Sequence, residues 1–519
     1  VVKQTPYRGL IHHSAIFLVG LVAGIVAFFS AQPSVGATVD SGEYLAVAEG
    51  IVDGHGLSMP YMSYDEPYRV LEPGERVTMT QFPPLYPALL ATTQKLGFSP
   101  LDGARALAAL CFAITAWVAA ALVARERADV RAVALAGALL LSADLVIVHS
   151  MAWSETVMLA ALVGALAFTV RYFREGRFVD LVVVVVLVII ASAARFVGLS
   201  AAPAIALGLV VASRGSLMTR LHRALGFLAV CVIPTAAWFV RNASILGTPS
   251  EKEVGWYLPG LTHVQQALNT VGGWVIPWKA AMPFAGGAVV IVAFAVAIKH
   301  LPRILRTGPS SVPRACVWFA VSYALFVLLS RSLLDQNIAF DFRILSPLYV
   351  LLVVGICSTW KGQTGMATVL LVALAAASVV RGVDTARTFS GLSVAAYTGD
   401  TWRASPTLKH AGDTPPDTLL ITNAPDPIWI WHRREPMVIP PRSSLYSGEP
   451  NEGYARDVRE MLLATRCRDA IVVFFDQPTR KPRRYIEPLL VRGLGLTRTH
   501  RFSDGEIYEV SEPPCEAEA

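Results

Sequence analysis

Charge is scarce in this chain. Only 16% of its 519 residues are Asp, Glu, Lys or Arg, against 54% apolar residues, whereas a soluble globular protein carries about 25% charged residues. Cysteine is scarce too, six in all, and no Cys/His grouping has metal-site spacing, which excludes the zinc-finger classes. The C-terminal region, residues 381–519, carries no nucleotide fingerprint: no glycine-rich strand-to-helix turn and no phosphate loop. No basic stripe interleaved with aromatics is present, so the net charge of +6 is not a nucleic-acid footprint and no nucleic acid is expected as partner. No internal repeat is visible, and the inverted repeats and broken helix pairs of many transporters are not evident.

Long apolar runs are abundant. Residues 14–30, 106–124, 132–148, 156–170, 179–194, 197–212, 224–240, 285–298, 315–330, 344–359 and 366–380 each read as a membrane-spanning helix, about eleven in all. The first run lacks a clean small-residue cleavage site, although Ala31 and Ala37 follow it, so it is read as a span and not a removable leader. Lys3 and Arg8 precede it, and alternate loops at 125–131, 171–177, 214–223, 299–314 and Lys361 are short and mostly basic. That asymmetry places the N-terminus in the cytoplasm, and an odd number of spans leaves the C-terminus outside. The expected fold is mainly α: a polytopic helical bundle over 1–380 in the plasma membrane, among membrane lipids, followed by a small extracytoplasmic α/β domain over 381–519. In that domain 418–422, 428–431, 470–475 and 506–510 read as strands and 457–465 as a helix. Cys111, Cys231, Cys316 and Cys357 lie in or beside spans and read as inert core residues. Cys467 and Cys515 fall in the outer region, where a bridge between them stays an open alternative.

The outer loop 31–103 opens with Asp40-Ser41-Gly42-Glu43-Tyr44. Tyr44, Leu45, Ala48, Ile51 and Val52 recur at helical spacing, so 40–52 is expected as an amphipathic helix lying along the membrane surface. Pro83 and Pro84 suit the first turn of a second short helix that runs to Lys95. A further outer loop, 241–282, carries Trp256, Tyr257, Trp274 and Trp278. These fit an interfacial aromatic belt or a surface on which a sugar ring stacks, and both readings stand.

Polar residues collect at the outer ends of the spans: Asp40 and Glu43, then His149, Trp153, Ser154 and Glu155, then Arg195, Arg241 with Asn242, and finally Asp335, Asp341 and Arg343. A carboxylate there can take a proton from an attacking hydroxyl. An arginine can grip a phosphate with two parallel hydrogen bonds. Each residue also has a plainer role. Arginines beside spans snorkel to the interface, Glu155 and Asp40 suit helix N-termini, and His55 and His149 read as ordinary loop residues.

These residues resemble a family. Asp40-Ser41-Gly42-Glu43-Tyr44, followed by Ala46, Ala48 and Gly50, resembles the first-loop acidic motif of GT-C glycosyltransferases. The similar branch holds the protein O-mannosyltransferases (glycosyltransferase family 39), the bacterial aminoarabinose transferases of lipid A and related actinobacterial enzymes. Phe82-Pro83-Pro84-Leu85-Tyr86-Pro87, Trp153-Ser154-Glu155, Ala194-Arg195-Phe196-Val197-Gly198, Trp238-Phe239-Val240-Arg241-Asn242 and Phe342-Arg343-Ile344-Leu345-Ser346-Pro347 are similar to its other outer-face signatures, in the same order. The resemblance implies a polyprenyl-phosphate-linked sugar as donor and Asp40 as catalytic base, with Glu155 in a second acidic role. The family often has a direct Asp-Glu pair where this chain spaces Asp40 and Glu43, which leaves the role of Glu43 open. The phosphate is expected near Arg195, Arg241 or Arg343. Tyr44, His55, Trp153, Trp256 and Trp274 are expected to contact sugar or acceptor. Mannose and arabinose both fit as the sugar, and a glycan, lipid or protein as the acceptor. No cofactor is certain, and metal dependence stays open, because the outer carboxylates offer oxygen ligands to a divalent cation. A transporter or lipid flippase is the alternative, and the gathering of charge at one membrane face rather than the midplane argues against it.

Overall fold

Unbroken apolar runs become single helices, and the computed structural model of the chain is helical over most of its length. It describes residues 6–62, 68–72, 74–213, 215–249, 254–335, 338–362, 365–390, 396–443, 449–465, 468–476 and 496–510. Cys467 and Cys515 lie outside the described residues. Helix α1 (Pro6–Ser30) leads to α2 (Val39–Val52), an antiparallel ribbon of β1 (Ser58–Met59) and β2 (Val77–Thr78), and α3 (Leu85–Lys95). The bundle continues with α4 (Pro100–Glu126), α5 (Val130–Leu140), α6 (Ala143–His149), α7 (Glu155–Glu175), α8 (Phe178–Ala194), α9 (Ala201–Ala212) after a 3-10 turn, and α10 (Leu217–Leu246). It closes with α11 (Leu261–Gly273), α12 (Met282–Thr307), α13 (Val312–Leu333), α14 (Phe342–Thr359) and α15 (Met366–Ser390).

Among the described residues, seven of these helices are long and apolar enough to cross a membrane: α1, α4, α7, α10, α13, α14 and α15. The run 132–148, expected as one straight span, is α5 and α6 bent by 65°. Ser142 leaves the helical conformation there, and α15 packs so tightly against the break that a side chain at Gly382 would overlap the Leu141 carbonyl. Counting that pair as one span gives eight, short of the expected eleven. Three shorter apolar helices, Phe178–Ala194, Phe196–Ala212 and Lys279–Ala295, lie where the remaining spans were expected.

One end of the bundle carries the basic loops. There Arg125 pairs with Glu175 at 2.5 Å, Arg171 with Asp180 at 3.3 Å, and Arg174 with Glu126. Helix α7 has 21 residues and is therefore about 30 Å long. Glu155 at its start is thus separated from Glu175 at its end by roughly the thickness of a bilayer core, about 30 Å.

Helix α2 departs from expectation. It forms where predicted, but it does not lie along a surface: Val39, Ser41 to Ala48 and Gly50 are all buried. Its small residues (Gly42, Ala46, Ala48 and Gly50) allow neighbours to approach on every side, so no wet face is left. The ring of Tyr44 packs 4.8 Å from that of Phe82 and 5.0 Å from that of Tyr86 at the start of α3. Burying each such large side chain contributes about 1.5–3 kcal/mol.

After α15 come α16 (Asp400–Arg403), α17 (Pro406–Asp413), β3 (Leu419–Thr422), α18 (Pro425–His432), β4 (Met437–Val438), α19 (Tyr454–Ala464), β5 (Ala470–Phe475), β6 (Leu496–Arg501) and β7 (Gly505–Val510). The sheet order is β4-β3-β5-β7-β6, with β4, β3 and β5 parallel and β7 antiparallel to both its neighbours. The expected strand at 428–431 is instead part of helix α18. Pro425 and Pro427 fix helical φ in its first turn. Ile428 of α18 and Leu408 of α17 share a core with Ile471, Val473 and Phe475 of β5. Ala37 and Val39, from the segment that enters α2, belong to that same core.

Candidate active site

Four helix termini meet at the end of the bundle opposite the basic loops. Asp40 sits in the first turn of α2, Glu155 opens α7, Arg195 caps the C-terminus of α8 and Arg343 is the second residue of α14. Three of these placements follow the helix dipole, with carboxylates at N-termini and an arginine at a C-terminus. Arg343 opposes it and is held instead by two carboxylates. Its Nη2 donates to Asp40 Oδ2 at 2.5 Å and to Glu155 Oε2 at 3.3 Å, and its Nε donates to Glu155 Oε1. Arg195 Nη1 lies 2.9 Å from the same Glu155 Oε1. Two guanidiniums thus balance two carboxylates. The cluster is largely shut off from solvent, with side-chain exposures of 1% for Glu155, 15% for Asp40, 16% for Arg343 and 23% for Arg195.

The surroundings fix these groups. Trp153 lies under Arg343, its ring centroid 4.4 Å from the guanidinium carbon, a stacking that orients the planar cation. The Trp153 indole N–H donates to Thr38 Oγ1 at 2.9 Å, and the Thr38 N–H donates to Ser41 Oγ at 3.0 Å, which ties the start of α2 to the Trp153 loop. The two segments also pair through backbone: Gly36 N–H donates to Ser150 O at 2.9 Å and Ala152 N–H to Gly36 O at 2.8 Å. Asp341 caps α14 by accepting from the Ile344 N–H at 3.1 Å; burial pushes its carboxyl up, against the pull of that N–H and of Arg343. Tyr44 shares a 3.2 Å hydrogen bond with Ser154. Burial first, and the Asp40 charge second, hold its phenol up and protonated.

Other expected residues fall elsewhere. Glu43, 1% exposed, accepts from Gln81 Nε2. Arg241 donates to Met79 O and to Asn242 Oδ1, both at 3.0 Å, and stacks 4.3 Å from the Trp238 ring. With Pro83, Pro84, Phe196, Pro234 and Trp238 it lines an apolar cavity of about 280 Å³. Phe196 follows Arg195 directly, so this cavity abuts the charge cluster. Trp274 packs on Tyr349 at 5.2 Å beside Arg381 and lines a separate cavity of about 250 Å³. Trp256 is 82% exposed and His55 is exposed at the end of α2, so neither belongs to the cluster. His149 is not a loop residue but is buried at the end of α6, stacked 4.2 Å from Phe112. Among the described residues no group of three or more His, Cys, Asp or Glu is arranged to hold a metal ion.

No protein-family model matches this chain, and no curated protein matches it. Solved structures do. ArnT from Cupriavidus metallidurans bound to undecaprenyl phosphate aligns with a TM-score of 0.62 at 14% identity, over 95% of this chain and 97% of that one. The apo state of the same protein aligns with a TM-score of 0.59 at 15% identity over the same shares. The chain has the GT-C fold. The apo Archaeoglobus fulgidus oligosaccharyltransferase gives only 0.48 at 13% identity, over 82% of this chain and 64% of that one. In this GT-C bundle, Tyr61, Gln81 and Asp426 are buried polar residues beside α2 that sequence reasoning passed over. Asp426 had one signal, an acidic residue flanked by prolines next to a predicted strand.

Proposed function

We propose that this chain is a membrane glycosyltransferase that moves a sugar from a polyprenyl-phosphate carrier to an acceptor hydroxyl on the outer face. One observation carries the reading: Asp40, Glu155, Arg195 and Arg343, which lie up to 303 residues apart, converge in one largely buried charge cluster. Such a cluster is a poor stabiliser. Replacing buried ion pairs by well-packed apolar residues is often neutral or stabilising by about 1–4 kcal/mol. Its persistence is better explained by chemistry than by folding.

The residues divide the work. The donor's phosphodiester has two non-bridging oxygens that can take parallel N–H bonds from Arg343, exchanging with Asp40 for that cation, while Arg195 adds a second positive charge that the departing phosphate monoester also meets. Asp40, released, accepts the proton of the acceptor hydroxyl. The hydroxyl oxygen forms its bond to the anomeric carbon as the bond from that carbon to the phosphate oxygen breaks. The polyprenyl phosphate leaves with the electron pair, against the guanidiniums, and configuration inverts. Glu155 holds both arginines in place. The apolar cavity beside Phe196 and Trp238 suits the isoprenoid tail, with Arg241 at its rim. That a structure of ArnT with the same fold holds undecaprenyl phosphate supports this class of carrier. The basic loops at the opposite end support a cytoplasmic N-terminus and a site on the outer face.

The test is release of free undecaprenyl phosphate when purified chain in lipid nanodiscs is given radiolabelled undecaprenyl-phosphate mannose or arabinose with a membrane extract as acceptor. Release that requires Asp40 supports the reading. Release that persists in Asp40→Asn removes Asp40 from the mechanism, and failure with both donors overturns the proposed donor class.

A further inference from the structure

The start of α2 is braced from two sides. The Trp153 loop holds residues 36–38 on one side, as described above. On the other side the C-terminal domain holds the same stretch: Tyr397 N–H donates to Ala37 O at 2.9 Å and Thr398 Oγ1 to Val35 O at 2.8 Å. Trp431 of α18 donates its indole N–H to Tyr397 O at 2.8 Å, which links α18 to this brace.

Helix α18 also reaches α2 itself. Asp426, 1% exposed, lies directly against Gly42, where any Cβ would overlap its carboxylate. Tyr61 OH donates to Asp426 Oδ1 at 3.0 Å. Burial, then the charges of Asp426 and Glu43, hold the Tyr61 phenol up and keep it a donor. Further along, Arg433 lies 3.7 Å from Glu49 and stacks 4.1 Å from the Trp429 ring. Gly42 is two residues from Asp40, so α18 presses on the first turn of the helix that presents the base.

We propose that Asp426 is a positioning residue for Asp40. Inserted at Gly42 and fixed by Tyr61, it sets the rotation of α2 and so the direction in which the Asp40 carboxylate faces Arg343 and the acceptor. The C-terminal domain then does more than cover the membrane bundle; it completes the geometry of the site without touching the reacting atoms. A misplacement of about 1 Å at a reacting group costs about 10²-fold in rate. The proposal rests on the glycosyltransferase reading for its kinetic arm only.

The experiment compares Asp426→Ala, Asp426→Asn and Tyr61→Phe with the wild type, all as full chains in nanodiscs. Asp426→Asn keeps an oxygen for Tyr61 to donate to; Asp426→Ala does not. The expected result is an about 10²-fold fall in kcat for Asp426→Ala, with Kd for undecaprenyl phosphate alone unchanged, partial recovery in Asp426→Asn, and an intermediate fall in Tyr61→Phe. Hydrogen exchange of the amides of residues 39–52 should rise in Asp426→Ala and return towards wild type in Asp426→Asn. Wild-type kcat in Asp426→Ala, a loss expressed wholly in undecaprenyl phosphate affinity, or unchanged exchange over 39–52 overturns the proposal. If the wild type turns over neither donor, the proposed donor class falls and the exchange arm alone decides whether Asp426 positions α2.

Discussion

Arg343 faces two carboxylates, Asp40 and Glu155, and its substitutions separate charge from shape. Arg343→Ala removes the cation that Asp40 and Glu155 share. Breaking a buried pair in this way costs about 3–5 kcal/mol, and the partial exposure of Arg343 places the expected loss at the lower end, read as a fall in melting temperature in detergent. Arg343→Lys keeps the charge but loses the planar fork and the stacking on Trp153. It should melt near the wild type while turnover falls about 10²–10³-fold, the usual cost of one lost anion-stabilising donor. Asp40→Asn should preserve folding, because an amide of the same shape still meets Arg343, and should lower turnover by about 10²–10⁴-fold, the range of general-base catalysis. All four residues of the cluster were legible in the sequence, because charges at the ends of apolar runs stand out. Their pairing was not legible. Nothing in the chain says that residue 343 meets residue 40, and Arg241, drawn from the same pattern, is engaged by Met79 O and Asn242 instead.

At the scale of elements, the sequence revealed helices better than it revealed what covers them. Helix α2 was expected from its apolar spacing, yet the same spacing suggested a half-wet surface helix. Its glycines and alanines carry the missing information: small residues on a helix are uninformative alone but permit contact on every side. Gly50 makes this testable. It is buried, and a Cβ there would overlap Ser58 O of β1. Gly50→Ala should therefore destabilise the protein by about 1–3 kcal/mol, the cost of overpacking. Gly226 of α10 is different: a Cβ added there would meet no atom within 4 Å. Gly226→Ala should leave stability unchanged or raise it by up to about 1 kcal/mol through helix propensity alone. Paired urea or thermal melts of the two variants check the contrast. The same limit explains α18, where apolar Ile428, Trp429 and Ile430 read as a strand until the two prolines are given positions in a helical first turn.

For the whole molecule, orientation follows from the two ends of the bundle and not from any one residue. Helix α14 begins beside Arg343 at the charge cluster and ends at Thr359 near the basic loops, where Arg127 donates to the Ser358 carbonyl at 3.2 Å. Its 18 residues span about 27 Å, so Lys361, just beyond, is on the face opposite the site. Trp256 lies on the stretch after α10, which starts at the end shared with the basic loops, and it is 82% exposed. In a background with Cys467 and Cys515 replaced by serine, a membrane-impermeant maleimide should label Trp256→Cys in intact cells. It should label Lys361→Cys only after the membrane is opened, because the remaining cysteines, Cys111, Cys231, Cys316 and Cys357, are buried. The opposite pattern would put the charge cluster in the cytoplasm. There nucleotide-linked sugars are also at hand as donors, and the reading of an outer-face reaction fed by a lipid carrier would fall. The sidedness of these two exposed positions therefore tests the outer-face site on which the lipid-carrier reading depends.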